Sequence, residues 1–275
     1  MSNERSLIEK MSAREDKPVL LIVSFGTSHN DNRSETIEAV ERRLAEANPE
    51  YEPRRAFTSR LIASKLRKRD QEHVDNVTQA LYRCLADGVK EVLIITTFVL
   101  PAFEYHDVLE EIRPFAQVFK KLSISAPLLF EDADFTATRE VLVEESAGRN
   151  EQDIAYVYMG HGTTHEANSA YRKLQDSFRQ AGYENFFVGA VEGEPYIDEV
   201  LASVKARNYK KIVLLPLMIV AGEHAKNDMA GDEEHTWHTR FKAEGYEVEC
   251  RLEGLGSYPG ISEIFLEHAS KAVTV

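Results

Sequence analysis

The chain reads as an α/β protein made of two similar Rossmann-like halves, each with a four-stranded parallel sheet, facing a central cleft. Three observations lead there. Short apolar runs alternate with longer amphipathic ones along most of the 275 residues. Runs such as VLLIV (19–23) and IVLLPL (212–217) are continuous, the pattern of strands buried on both faces. Finally, two stretches are echoed later in the chain: VLLIVSFGTS by AYVYMGHGTT, and KEVLIITTFVLPAFEYHD by KKIVLLPLMIVAGEHAKND.

Taken in order, residues 1–16 are a charged leader without the apolar segment of a signal peptide. Strands are expected at 18–25, 52–58, 91–98 and 120–126, then at 154–160, 185–191, 211–220 and 246–252. Helices are expected over 31–47, 59–68, 74–87, 104–115, 134–144, 166–181, 195–206, 233–244 and 259–273. The stretch PLLFEDADF (127–135) joins the halves, giving an N-terminal unit at 17–130 and a C-terminal unit at 131–257.

Bulk properties narrow the function. Hydrophobic content of 43% and charged content of 29% suit a soluble globular protein. A formal charge of -13 argues against nucleic acid and anionic membrane as partners, while leaving room for an anionic small substrate in a locally basic pocket. Cys84 falls in a helical pattern and Cys250 ends a strand, so neither a disulfide framework nor a cysteine metal site is expected. With no run near the ~20 apolar residues of a membrane helix, the expected location is cytoplasmic. No motif decides for or against a homo-oligomer.

Ligands of open α/β sheets bind beyond the carboxyl ends of the strands. In the second half those ends carry His161 and His165, then Glu192 and Glu194 around Gly193, then Glu223, His224 and Asp228. Imidazole and carboxylate together suit a borderline divalent cation, and they suit proton removal near neutral pH. Gly160, Gly162, Gly193 and Gly222 flank these residues and would let a bulky ligand approach. His161, Glu192 and His224 are therefore the candidate site, with His165 and Glu194 as supports. His29 and His106 stand at strand ends of the first half; His73, His235, His238 and His268 lie in polar or helical contexts and are expected at the surface. Phosphate loops, the G-x-S-x-G elbow and H-E-x-x-H are absent, which disfavours nucleotide chemistry, acyl transfer and zinc proteolysis.

In the first half Ser24, Thr27 and Ser28 follow the first strand, and RRAFTSRLIASKLRKRD (54–70) is a cationic island on an acidic chain. Arg54 and Arg55 point to opposite faces of a strand ending in Phe57-Thr58-Ser59, so only one shares a face with Phe57. An anion site here would use an arginine fork and helix N-terminal N–H groups.

LLIVSFGTSHND, RRAFTSRLIASKLRKRD, YVYMGHGTTHEAN, VGAVEGEP and LLPLMIVAGEHAKNDMAGDEEHTW together resemble the anaerobic cobalt chelatases, a class II family related in fold to ferrochelatase. The resemblance runs from about residue 18 to the end. It implies two halves across a cleft, with a C-terminal helix, about 258–275, packing back on the first. It also implies insertion of Co²⁺ into sirohydrochlorin, a reduced tetrapyrrole with eight carboxylates. The family's histidine, glutamate and histidine fall on His161, Glu192 and His224, as metal ligands and proton acceptors. Ser24, Thr27, Ser28, Arg54, Arg55, Thr58 and Ser59 become candidates for the substrate's carboxylates. The metal is a substrate, and no organic cofactor is called for. Where many members have a histidine after the third strand, this chain has Phe98, with Ala102 for a nearby glycine, so that histidine's role is not carried over. Fe²⁺ or Ni²⁺ insertion, or a carrier that binds metal or haem without turnover, are the alternatives. Histidine ligands must be neutral, so activity should fall as they protonate.

Overall fold

The computed structural model describes residues 17–146 and 153–275; the leader at 1–16 lies outside the described residues. Strand β1 (Val19–Ser24) is buried at every position and lies inside its sheet. A continuous apolar run needs that place, with neighbours on both edges and cover on both faces. It pairs in parallel with β2 (Glu52–Phe57) and β3 (Glu91–Thr96), and β4 (Lys121–Ile124) follows beyond β3. In the second sheet β5 (Ile154–Gly160) lies between β6 (Phe186–Ala190) and β7 (Lys211–Pro216), with β8 (Glu247–Cys250) beyond β7. The strand orders β2-β1-β3-β4 and β6-β5-β7-β8 are one topology used twice.

The register repeats as well. Val23 lies opposite Ala56 and Thr96, and Met159 lies opposite Gly189 and Pro216. Carried beyond the strands at the same spacing, His161, Glu192 and His224 of the second half correspond to Phe25, Ser59 and Glu104 of the first.

Ten α-helices connect the strands among the described residues: α1 (Asn30–Glu35), α2 (Ile37–Ala47), α3 (Arg60–Arg69), α4 (Val77–Ala86), α5 (Phe103–Ile112), α6 (Asp132–Glu145), α7 (Ala170–Gln180), α8 (Ile197–Lys205), α9 (Trp237–Ala243) and α10 (Pro259–Ser270). Helices α4 and α5 cover the outer face of the first sheet, placing Leu81, Val108 and Ile112 against Val19, Leu21 and Val92. Helices α8 and α9 do the same for the second, with Val204 and Phe241 in one cluster with Val157 and Leu214. Between the sheets α2, α10, α6 and α7 form a shared layer, α2 on β1 and β2, α7 on β6, and α10 against α2, α6 and β3. One core cluster runs from Leu20 and Ile22 through Leu44, Phe265, Leu142 and Phe178 to Tyr158 and Val188. Among the described residues no helix is long and apolar enough to cross a membrane.

Three departures from the sequence expectations have local causes. The helix expected over 31–47 breaks at Thr36 (φ -116°, ψ -84°), whose hydroxyl donates to the Asn32 carbonyl at 2.5 Å. A side-chain bond of this kind competes with the helical ladder. The break leaves the Asn32 side chain free to accept the Ala221 N–H of the other half at 3.1 Å. The C-terminal helix stops at Ser270, and Val273–Thr274 forms a short strand, β9, antiparallel on β4. The first sheet thus has five strands, and the end of the chain returns to the first half.

The third departure concerns His268, which is buried rather than at the surface, 5% exposed, with Nε2 2.9 Å from Asp134 Oδ1 and Nδ1 3.3 Å from the Ala126 carbonyl. Both ring nitrogens face acceptors, which suits the imidazolium. Burial opposes both charges, but the pairing outweighs it. His268 is held above its ordinary range, and Asp134, which also accepts the Glu131 and Phe130 N–H groups, is held below its own. The aspartate's contribution is present above the ordinary carboxylate range and lost as pH falls through its lowered pKa. That of the histidine is complete below its ordinary value of ~6.5 and lost as pH rises through its raised one. Stability should therefore be greatest from about pH 4 to 6.5 as far as this pair is concerned. His268→Ala should cost about 3 kcal/mol in urea unfolding at pH 6, because it strands a buried carboxylate. A loss below ~0.5 kcal/mol would show that the pair does not pin the C-terminal helix.

Candidate functional site

Strand β5 delivers His161 to the cleft, and its position is set by the backbone of the neighbouring loop. Beyond the sheet the pairing with β6 continues: the Val191 N–H donates to Gly160 O at 3.1 Å, and the Glu192 N–H donates to His161 O at 2.8 Å. Gly162, at φ +86°, lies so close that an added Cβ would stand 2.6–2.7 Å from the Glu192 and Gly193 backbone. Only glycine accepts both that φ and that approach. Under Gly160 sits Tyr171, whose ring would meet an added Cβ at 2.2 Å and whose hydroxyl accepts the Gly162 N–H at 3.2 Å. Burial pushes the Tyr171 phenol up to about 12, which keeps it protonated beneath the loop. Asn168 adds a further tie, accepting the Thr163 N–H and donating to the Glu194 carbonyl.

Each histidine has one nitrogen engaged and one left over. His161 Nδ1 lies 2.9 Å from the Gly162 carbonyl and 4.0 Å from Glu192 Oε2. A carbonyl can only accept, so Nδ1 carries the proton and the Nε2 lone pair is available. His224 follows β7 at the start of a π-helical turn, Ala225–Met229, and its Nδ1 donates to Asp228 at 2.7 Å. Its Nε2 is likewise available, in the carboxylate–imidazole arrangement common behind metal ligands. The two rings meet edge to face with centroids 4.4 Å apart. One ligand atom from each of His161, Glu192 and His224 lies within 4.8 Å of the others. Their side chains are 48%, 60% and 36% exposed, so a cation held there would keep open positions toward the cleft.

That cleft is a cavity of about 830 Å³ between the two sets of strand ends. Its walls are largely apolar, with Phe25, Leu61, Val99, Phe103 and Met218 among them, a surface suited to a flat ring. Ser24, Thr27, Ser28 and Ser59 line it, the last also capping α3 by accepting the Ile62 N–H at 3.3 Å. Thr58 does not line it. The two candidate arginines do not line it either, because carboxylates of the chain claim them. Arg54 pairs with Glu52 and Asp87, and Arg55 with Glu38, Glu41 and Glu72 while lying over the Phe57 ring. Alternation along β2 separated the two arginines correctly, but what lay beneath each was invisible in the sequence. Phe98 is buried beside the cavity with Tyr105 and Val108. His29 lines the cavity, whereas His106 packs on His165, whose Nδ1 accepts the Ala167 N–H.

Glu104 joins the site from the opposite half. It lines the cavity, exposed to the cleft, and desolvation by the surrounding walls raises its carboxyl above the ordinary range against the pull of His161. The sequence signal was its place in the echo, where it matches His224.

If Gly162 sets the spacing of His161 and Glu192, Gly162→Ala should weaken Co²⁺ binding about tenfold or more in calorimetric titration. Gly222→Ala, with nothing within 4 Å of the added carbon, should change it little. Equal affinities would break the link between the close approach and the ligand set.

Comparison with known proteins agrees with this architecture. Residues 18–274 match the family model described as cobalt chelatase (CbiK). A sirohydrochlorin cobaltochelatase of Salmonella typhimurium is 36% identical over 94% of this chain and 97% of that protein. A second, sirohydrochlorin cobaltochelatase CbiKC of Nitratidesulfovibrio vulgaris, is 28% identical over 94% and 91%. Among solved structures, SirB from Bacillus subtilis with Fe³⁺ aligns at TM-score 0.64 with 14% identity, over 93% of this chain and 95% of that one. CbiX, a terminal enzyme of siroheme biosynthesis in denitrifying bacteria, aligns at 0.55 with 17% identity, over 93% and 99%; these two likenesses speak to the fold. With nearly its whole length matched by one family model and by a relative above 30% identity, the chain belongs to the cobalt chelatase (CbiK) family.

Proposed function

We propose that this chain inserts Co²⁺ into sirohydrochlorin, with His161, Glu192 and His224 holding the incoming ion. The observation that carries the reading is the pairing of an open two-histidine, one-carboxylate set with a large apolar slot at the same strand ends. In this reading the C-terminal half, 131–257, supplies the metal ligands. The N-terminal half, 17–130, supplies Glu104 and much of the apolar wall.

Insertion breaks two N–H bonds of the ring and forms cobalt–nitrogen bonds, so two protons leave as the ion enters. Co²⁺ rests on the Nε2 atoms of His161 and His224 and on the Glu192 carboxylate, with the remaining positions facing the ring. As ring nitrogens replace protein ligands, His161 or Glu192 becomes free to take a proton. Glu104 is a further acceptor, since a carboxyl raised by burial is a better base near neutral pH than a solvated one. Asp228 accepts the Nδ1–H of His224 and so leaves its Nε2 lone pair for the ion. The metal is consumed as substrate, and the chemistry asks for no organic cofactor.

The test is anaerobic insertion followed by absorbance, with Co²⁺, Fe²⁺ and Ni²⁺ in parallel. The native chain should turn over many times with Co²⁺, and His161→Ala and His224→Ala should each lose 100-fold or more in kcat/KM. Glu104→Gln should lower kcat about tenfold or more while leaving Co²⁺ affinity within twofold. A single equivalent of product, however long the incubation, would favour a carrier over an enzyme.

A further inference from the structure

The substrate's charge poses a problem that the cavity wall leaves unsolved. The chain has a formal charge of -13, and sirohydrochlorin brings eight carboxylates. The field of the protein opposes binding unless cations are concentrated where those groups emerge. Four arginines of the first half are already committed: Arg54 and Arg55 as described, Arg33 to Glu38 and Glu72, and Arg69 to Asp70.

Two exposed lysines differ. Lys65, on α3, lines the main cavity and forms no ion pair within 4 Å among the described residues. Lys226, in the π-helical turn of the other half, has as its partner a ring nitrogen and not a carboxylate, His29 Nδ1 at 3.2 Å. Lys226 and His29 also line a polar chamber of about 310 Å³ that adjoins the mouth, with Asn30, Asn32 and Arg69. His29 in turn presents its Nε2–H to Glu223 Oε1 at 2.9 Å, and Lys65 acts on the same carboxylate through its charge. His29 and Lys65 of the first half thus bear on Glu223 of the second, whose side chain is 61% accessible, and Lys226 stands one hydrogen bond away, on the other ring nitrogen of His29.

We propose that Lys65, Lys226 and His29 form a carboxylate subsite for an acidic side chain of the macrocycle, and that Glu223 occupies it until substrate arrives. The inference rests on the chelatase reading and deepens it. A ligand carboxylate entering here takes the His29 N–H that Glu223 now accepts and is drawn by the two lysines beside it, while Glu223 swings to solvent. The apolar slot then takes the ring, and the cationic corner fixes which edge of it faces the mouth. No covalent step is involved.

The test uses the full-length chain and metal-free sirohydrochlorin, with binding followed by ring fluorescence, so it does not depend on turnover. Lys65→Met and Lys226→Met should each weaken binding about tenfold, the loss of one charge-assisted hydrogen bond. The double variant should bind still more weakly and show a smaller salt dependence, and arginine at both positions should restore most of the affinity. Glu223→Gln should move affinity the other way, tightening it severalfold by removing the competing charge. Calorimetric Co²⁺ binding should stay within twofold in both lysine variants, which separates this subsite from the metal ligands. Binding that is unchanged in the double lysine variant, or weaker in Glu223→Gln, would overturn the subsite; so would failure of the native chain to bind the ring. Should the native chain bind the ring with the expected lysine dependence but not insert metal, the subsite stands and the insertion reading falls.

Discussion

The apolar layer between the two sheets is the constraint on which the rest depends. Helices α2 and α10 lie against the first sheet and α6 and α7 against the second side of that layer, so one core spans both halves. Two sheets that shared only a linker would be free to move apart, and inter-domain contacts of ordinary size permit such motion. Here Phe265 and Ile261 of the last helix are fully buried in the common core. The His268–Asp134 pair and strand β9 then tie that helix to the junction and to the first sheet. With the back of the molecule fixed, the strand ends at the front stand at a set separation. Glu104 on one side and His161 on the other line one cavity at that separation, the place the proposed function gives to the ring.

On this frame the two halves differ in what they carry. The register of the sheets makes Phe25, Ser59 and Glu104 the counterparts of His161, Glu192 and His224. One set is two imidazoles and a carboxylate, the other a phenyl ring, a hydroxyl and a carboxylate raised by burial. The contacts across the mouth show the same divergence. His29 meets Glu223 and Lys226, while its counterpart His165 meets Phe103 and His106, the residues equivalent to them. A polar, charged clasp on one side is an aromatic one on the other. In the proposed reaction this asymmetry keeps both imidazoles on one face of the ring, from which the ion would pass inward.

Sequence and structure part company where a property depends on what lies across space. The parallel strands and the cluster of His161, Glu192 and His224 were legible because each follows from a continuous run or from its carboxyl end. The fate of Arg54 and Arg55 was not. Their partners Asp87, Glu38, Glu41 and Glu72 are spread over other elements. His268 was misread for the same reason: its helical setting looks solvated until Asp134 and the Ala126 carbonyl are brought beneath it. Strand β9 is too short to leave a periodic signal. Glu104 could have been found, since the echo that suggested duplication also aligns it with His224, but its raised carboxyl depends on walls from both halves.

The strength of the ligand set bears on the direction of the reaction. A closed four-ligand cage would hold a divalent ion too firmly for a ring to strip it. Three donors, each at least a third exposed at its side chain, would hold it less tightly and leave coordination sites for the incoming nitrogens. Affinity alone would also favour Ni²⁺ over Co²⁺ at such donors. In the proposed reaction, selectivity must then come from supply or from the transfer step, where the ion would exchange His161, Glu192 and His224 for ring nitrogens. That exchange is helped when the departing ligands and Glu104 can take up the two protons released. On this proposal the same residues would set both how loosely the metal is held and how readily the ring can receive it. A substitution that tightened the site, by adding a fourth strong donor, would be expected to slow insertion even as it improved binding.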